Sequence, residues 1–217
     1  MIPMILAVAF AICGAAPVIE RPALTSSDRF AVMITGDGGW RRIDEKVTLD
    51  LRDNGIPVVG FLASQYFQTR RTPEESACAL ADLIRKYRRL WHKERVILIG
   101  FSRGADALPF MINRLPDDVR ASVQLVALLG LEPRIDFEYH PPWTLAHYTR
   151  HPAQFDVLPE VMKMRDQNVL CVYGDREKDT LCPTLDRSRF RIVREPGGHH
   201  FAGRYDEVGK AILDASR

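Results

Sequence analysis

No block of like charge interrupts the chain. Thirty lysines and arginines stand against 28 aspartates and glutamates, a formal net charge of +2 over 217 residues, and the basic residues are spread along the sequence, so direct nucleic-acid binding is not expected. The densest basic stretch, Arg85-Lys86-Tyr87-Arg88-Arg89, falls within a helical pattern and reads as a solvated helix face. Internal repeats and low-complexity tracts are absent, which excludes solenoids and repeat arrays. Neither G-x-G-x-x-G nor a P-loop lysine occurs, which removes the two common nucleotide cradles, and no cofactor is expected. Cysteine is scarce, with four residues, too few for a scaffold built on disulfides, and no Cys or His spacing suggests a metal site. Behind the N-terminal segment no apolar run approaches the roughly 18 residues of a membrane helix, so a soluble body is expected.

Charge is missing from Met1–Ala16 as well. That stretch is apolar and ends in Gly14-Ala15-Ala16, the pattern of an export signal with its small-residue cleavage region, although no Lys or Arg precedes Arg21. Residues 1–22 are therefore expected to be a signal peptide or an N-terminal anchor, and residues 23–217 one domain. Cys13 is not expected to be lipidated, because Ile12 stands where a small residue is needed. In an oxidising compartment Cys171 and Cys182 are the natural pair, one closing a strand and the other following in a short loop. Cys78 reads as a buried helix residue.

Hydrophobic residues make up 46% of the chain and charged residues 27%, which fits a single globular domain with a sizeable core. Apolar, β-rich runs recur at Phe30–Ile34, Ile56–Phe61, Val96–Ile99, Val123–Leu129, Val169–Tyr173 and Phe190–Val193, with helical or polar stretches between most of them. This alternation predicts an α/β fold whose mostly parallel central sheet is flanked by helices. Thr72-Pro73-Glu74-Glu75 predicts a capped helix start, followed by Ala77, Leu80, Ala81, Ile84 and Tyr87 at helical spacing. Glu132–Pro159, broken by prolines, is expected to be a cap over the site or a solvated connection.

Gly100-Phe101-Ser102-Arg103-Gly104 lies directly behind an apolar strand and ahead of helix-forming residues, the setting of a nucleophile elbow. A serine hydroxyl reacts only when a base removes its proton and a carboxylate orients that base. Behind Val169–Tyr173 the loop Gly174–Pro183 offers Asp179 as the preferred acid, with Asp175 and Glu177 as competitors. Behind Phe190–Val193 the turn Glu195-Pro196-Gly197-Gly198-His199-His200 offers His199 as the base, with His200 as the alternative. The amide of Arg103 is the first expected oxyanion donor. The second is the amide of Asp37 or Gly38, in the glycine-rich loop Thr35–Trp40.

Several of these segments, in order, resemble the VirJ/AcvB family of bacterial virulence proteins: Gly36-Asp37-Gly38-Gly39-Trp40, Arg71-Thr72-Pro73-Glu74, Gly104-Ala105-Asp106 with Pro109, Asn113-Arg114-Leu115-Pro116, Asp136-Phe137-Glu138 and Gly197-Gly198-His199-His200-Phe201. The resemblance runs from about Phe30 to Tyr205. It implies an α/β-hydrolase fold, a Gram-negative periplasmic location and, for AcvB-like members, hydrolysis of lysyl-phosphatidylglycerol at the membrane surface; VirJ-like members are associated with type IV secretion components. On that expectation Trp40, Asp136 and Glu138 become candidate substrate contacts, Asp37 a candidate for a lysyl ammonium, and Arg103 or Arg41 a candidate for the lipid phosphate. A general carboxylesterase or thioesterase, and a non-catalytic periplasmic factor, are the alternatives.

Overall fold

The computed structural model describes residues 13–141 and 155–217. All six apolar runs become strands of one seven-stranded sheet. In chain order its strands are β1 (Val18–Arg21), β2 (Arg29–Ile34), β3 (Val58–Phe61), β4 (Arg95–Phe101), β5 (Val123–Leu129), β8 (Val169–Gly174) and β9 (Arg191–Glu195). The spatial order is β1-β3-β2-β4-β5-β8-β9. Only β1 runs antiparallel, pairing Val18 with Phe61 and Arg21 with Val58 on β3; the rest pair in parallel.

Parallel strands covered on both faces must be apolar throughout, and the central strands meet that demand by splitting their side chains between two cores. Phe30, Val32 and Ile34 of β2 and Val96 and Leu98 of β4 point to one side. Ala31, Met33, Ile97, Ile99 and Phe101 point to the other. The first side is covered by α3 (Pro73–Trp91) and α4 (Arg103–Ile112), the second by α1 (Arg42–Asp53) and α7 (Tyr205–Ala215). Helix α3 starts as its sequence dictates: Thr72 Oγ1 accepts from the Glu75 amide at 3.1 Å and Glu75 Oε2 accepts from the Thr72 amide at 2.8 Å, with Pro73 in the first turn. Its Leu80 and Ile84 are fully buried, each stabilising the fold by about 1.5–3 kcal/mol.

Short helices α2 (Ala63–Tyr66), α5 (Asp117–Arg120) and α6 (Leu158–Lys163) complete the described α-helices. The proline-broken stretch is tied at its two ends: β6 (Arg134–Ile135) pairs antiparallel with β7 (Phe155–Asp156), and Phe137 packs edge-on against Phe67, Phe110 and Phe155. Pro142, Trp143 and Pro152 of the expected cap lie outside the described residues, as do Met1 to Ile12 of the expected signal.

The cysteines pair as Cys171–Cys182 and Cys13–Cys78, each with Cα atoms 5.6 Å apart. The second pair corrects the reading of Cys78 as a lone buried residue, and it makes Cys13 part of the folded body. Cleavage behind Ala16 would leave Cys78 without its partner. Alkylation without reductant is therefore expected to leave all four cysteines unmodified, and peptide mapping to recover both linked pairs. A mature chain that starts behind Ala16 and alkylates at Cys78 would contradict this. Reducing Cys171–Cys182, which closes an 11-residue separation, is expected to cost about 3 kcal/mol.

Candidate active site

Because β2, β4, β5, β8 and β9 run in parallel, the segments that follow them all emerge at one edge of the sheet, the edge where open α/β sheets bind ligands. Strand β4 ends at Phe101 and α4 begins at Arg103, leaving Ser102 alone to make the turn, at φ 53° and ψ −125°. A non-glycine residue held there costs about 1–3 kcal/mol of strain. The flanking glycines make the turn possible by close approach: a Cβ at Gly104 would run into the Ile34 carbonyl, and one at Gly100 into the backbone of Gly104. The Ser102 amide is anchored on the Leu129 carbonyl at 2.9 Å.

The carboxylate on His199 is Glu177, which corrects the preference for Asp179. His199 Nδ1 bonds Glu177 Oε1 in a short contact, and Glu177 Oε2 accepts from the Gly174 amide at 3.1 Å. The Glu177 side chain is only 7% exposed. Asp175 is used otherwise, accepting from the Gly197 amide at 2.8 Å and so joining the acid loop to the histidine loop. Asp179 is exposed. The Nδ1 contact leaves Nε2 of His199 as the nitrogen able to accept a proton. Glu177 holds the imidazole pKa above its ordinary 6.5. For His200, burial and the neighbouring His199 push it down, and no carboxylate among the described residues bonds to it.

Serine and imidazole are brought to one place by β5. Leu129, which receives the Ser102 amide, is followed by Gly130 at φ +65°, and a Cβ there would lie 2.8 Å from His199 Cε1 and 3.3 Å from Glu177 Oε1. The His199 ring packs 5.1 Å from that of Phe101, the neighbour of Ser102. Gly130 was not among the candidate residues, since a lone glycine after a strand has no signal beyond a turn.

The two candidate oxyanion segments also meet. Arg103 is the first residue of α4, so its amide has no intrahelical acceptor. A Cβ on Gly36 would lie 3.1 Å from Ser102 Cβ, which sets the loop bearing Asp37 and Gly38 beside the nucleophile. The side chains depart from expectation. Arg103 is paired with Asp37 through Nε–Oδ1 and an Nη2–Oδ2 contact of 3.1 Å, so neither is an unoccupied charge for a substrate. Glu138 pairs with Arg70 at 2.7 Å. Trp40 donates to Glu45 at 2.7 Å and stacks under Arg21.

A cleft of about 110 Å³ opens beside Ser102, lined by Asp37, Arg103, Asp106, Glu132, Arg134, Ile135 and Asp136. Of the candidate substrate contacts, Asp37, Arg103 and Asp136 line it, and Trp40, Arg41 and Glu138 do not. Asp106 and Glu132 were not foreseen. Asp106 is buried and accepts from the Glu132 amide at 2.8 Å, and burial pushes its carboxyl well above the usual range. Burial raises Glu132 too, against the pull of His199.

Comparison with known proteins agrees with this architecture. The profile of the family described as "Bacterial virulence protein (VirJ)" matches residues 28–217. No curated protein matches the chain. Among solved structures, Est1E from Butyrivibrio proteoclasticus, with ferulic acid bound, is similar at 14% identity over 91% of this chain and 92% of its own, with a TM-score of 0.66. A lipase-esterase related protein from Clostridium acetobutylicum gives 14%, 93%, 99% and 0.65, and an alpha-beta serine hydrolase homologue from Coxiella burnetii 15%, 91%, 89% and 0.59. The fold is that of the α/β-hydrolases.

Proposed function

The chain belongs to the VirJ family of bacterial virulence proteins, and from that premise we propose that it is a periplasmic serine hydrolase that cleaves an aminoacyl ester, lysyl-phosphatidylglycerol. The observation that carries the hydrolase reading is the strained Ser102 elbow beside a His199 already hydrogen-bonded to a buried Glu177. Ser102 Oγ attacks the acyl carbonyl carbon while His199 Nε2 takes the hydroxyl proton. Glu177 fixes the tautomer and stabilises the imidazolium. The amides of Arg103 and of Asp37 or Gly38 face the oxyanion. His199 then returns the proton to the departing glycerol oxygen, leaving a lysyl ester on Ser102. Water, activated by the same imidazole, releases lysine.

The cleft favours a small polar acyl group over a long alkyl chain. Its described lining is polar except for Ile135. A periplasmic site accords with two disulfides among the described residues. The test is lysine release from vesicles containing lysyl-phosphatidylglycerol, run beside short acyl esters. Release by wild type and none by Ser102→Ala is expected. Turnover of the short esters alone would leave the carboxylesterase alternative, toward which the ferulic-acid-binding neighbour points. Equal release by both proteins would remove Ser102 from the reaction.

A further inference from the structure

We propose that the Arg103 side chain is a positioning residue that holds the second oxyanion donor over Ser102, an inference that rests on the hydrolase reading above. Its guanidinium joins three segments that are far apart in sequence. Nε and Nη2 grip the two carboxylate oxygens of Asp37, and Nη1 donates to the carbonyls of Asp136 and of Glu138, the latter at 3.2 Å. The Arg103 side chain is 14% exposed and that of Asp37 48%, so the pair closes from the elbow side outward. The residue whose own amide is the first oxyanion donor thus fixes, through its side chain, the loop that carries the second.

Two physical reasons give this contact a catalytic effect. The loop after β2 is fixed at its two ends, where the Thr35 amide donates to the Phe61 carbonyl at 3.1 Å and Trp40 to Glu45 at 2.7 Å; between them it turns on the Gly39 amide to Gly36 carbonyl bond at 3.1 Å, Arg41 Nε donates to the Gly38 carbonyl at 2.7 Å on the exposed side, and Arg103 holds the Asp37 carboxylate. A planar fork on both carboxylate oxygens sets orientation as well as distance, which a lysine ammonium cannot reproduce. The second reason is charge. A bare Asp37 carboxylate beside the site where negative charge develops would oppose the transition state, and Arg103 cancels it.

The test uses p-nitrophenyl acetate, a neutral ester with no phosphate for an arginine to bind, together with the rate of labelling by a fluorophosphonate. Losing one oxyanion donor lowers kcat by about 10²–10³-fold in measured cases. R103M is expected to lower kcat by about 10–100-fold, with KM within about threefold of wild type. R103K, which keeps the charge without the fork, should fall between R103M and wild type. D37N should lose less than R103M, and the double variant R103M/D37N should be no slower than R103M, because both changes break one contact. Equal kcat for R103M and wild type, a loss confined to KM, or a double variant slowed by the product of the single losses would overturn the proposal. D37N and R103K carry the test should R103M fail to fold, as judged by circular dichroism. Failure of the broader reading looks different: a wild type active on p-nitrophenyl acetate but inert on lysyl-phosphatidylglycerol loses only its substrate, while a wild type inert to ester and probe alike ends the hydrolase reading and the clamp with it.

Discussion

Ser102→Ala is expected to abolish ester turnover and fluorophosphonate labelling while leaving the fold intact. Removal of the nucleophile of a serine protease lowers kcat by about 10⁶-fold, and here no other described hydroxyl or thiol lines the cleft. The accompanying stability measurement separates the chemistry from the scaffold. Ser102 sits at φ 53°, a conformation that strains alanine as much as serine, so Ser102→Ala should unfold at nearly the wild-type denaturant midpoint. Ser102→Gly should be equally inactive yet more stable. Relief of about 1–3 kcal/mol of backbone strain is offset by about 0.4–1 kcal/mol of extra freedom in the unfolded chain, a net gain of about 1 kcal/mol. A Ser102→Gly protein less stable than Ser102→Ala would mean that the turn is not strained, and residual turnover by either near the wild-type rate would place the nucleophile elsewhere.

The scaffold around this serine was legible because each signal was local. Buried parallel strands are apolar along nearly their whole length, so β2, β3, β4, β5 and β8 stand out as runs bounded by turns, while the half-buried edge strand β9 shows only through Phe190, Ile192 and Val193. The start of α3 is written in four consecutive residues, Thr72 to Glu75. Strand β1 was not legible. Its four residues include Glu20 and Arg21, and it is a strand only because β3 offers a free edge. The same limit hid the Cys13–Cys78 pair, 65 residues apart, and the Arg103–Asp37 fork, 66 apart.

Within the candidate site, Ser102 and His199 stand out in the sequence because glycines beside a strand end mark a sharp turn. Three carboxylates crowd Asp175 to Asp179, and sequence pattern cannot say which one faces inward. Tertiary contacts decide it: Asp175 is consumed by the Gly197 amide, Asp179 turns to solvent, and the Leu181 amide is tied to the Leu131 carbonyl at 2.9 Å. Glu177 is left to reach back under His199, where Gly130 has no side chain to block it.

That arrangement gives the second large effect. Glu177→Gln is expected to lower kcat by about 10⁴-fold, the loss seen when the orienting aspartate of a serine protease becomes an amide and the wrong imidazole tautomer is favoured. Asp179→Asn, on the exposed residue, should stay within about threefold of wild type. The pH profile supplies an independent check with a definite sign. Proton transfer needs the neutral imidazole, and the hydrogen bond and charge of Glu177 raise its pKa above 6.5. The acid limb of kcat/KM should therefore have its midpoint above pH 6.5 in wild type, with activity rising as pH increases through it. Removing the charge in Glu177→Gln should move what activity survives to a limb at lower pH, because Glu177 is the largest cause of the raised value. Asp179→Asn should leave the limb in place. A profile moved by Asp179→Asn and unaffected by Glu177→Gln would return the role of acid to Asp179, and with it require a loop conformation in which Glu177 has left the histidine.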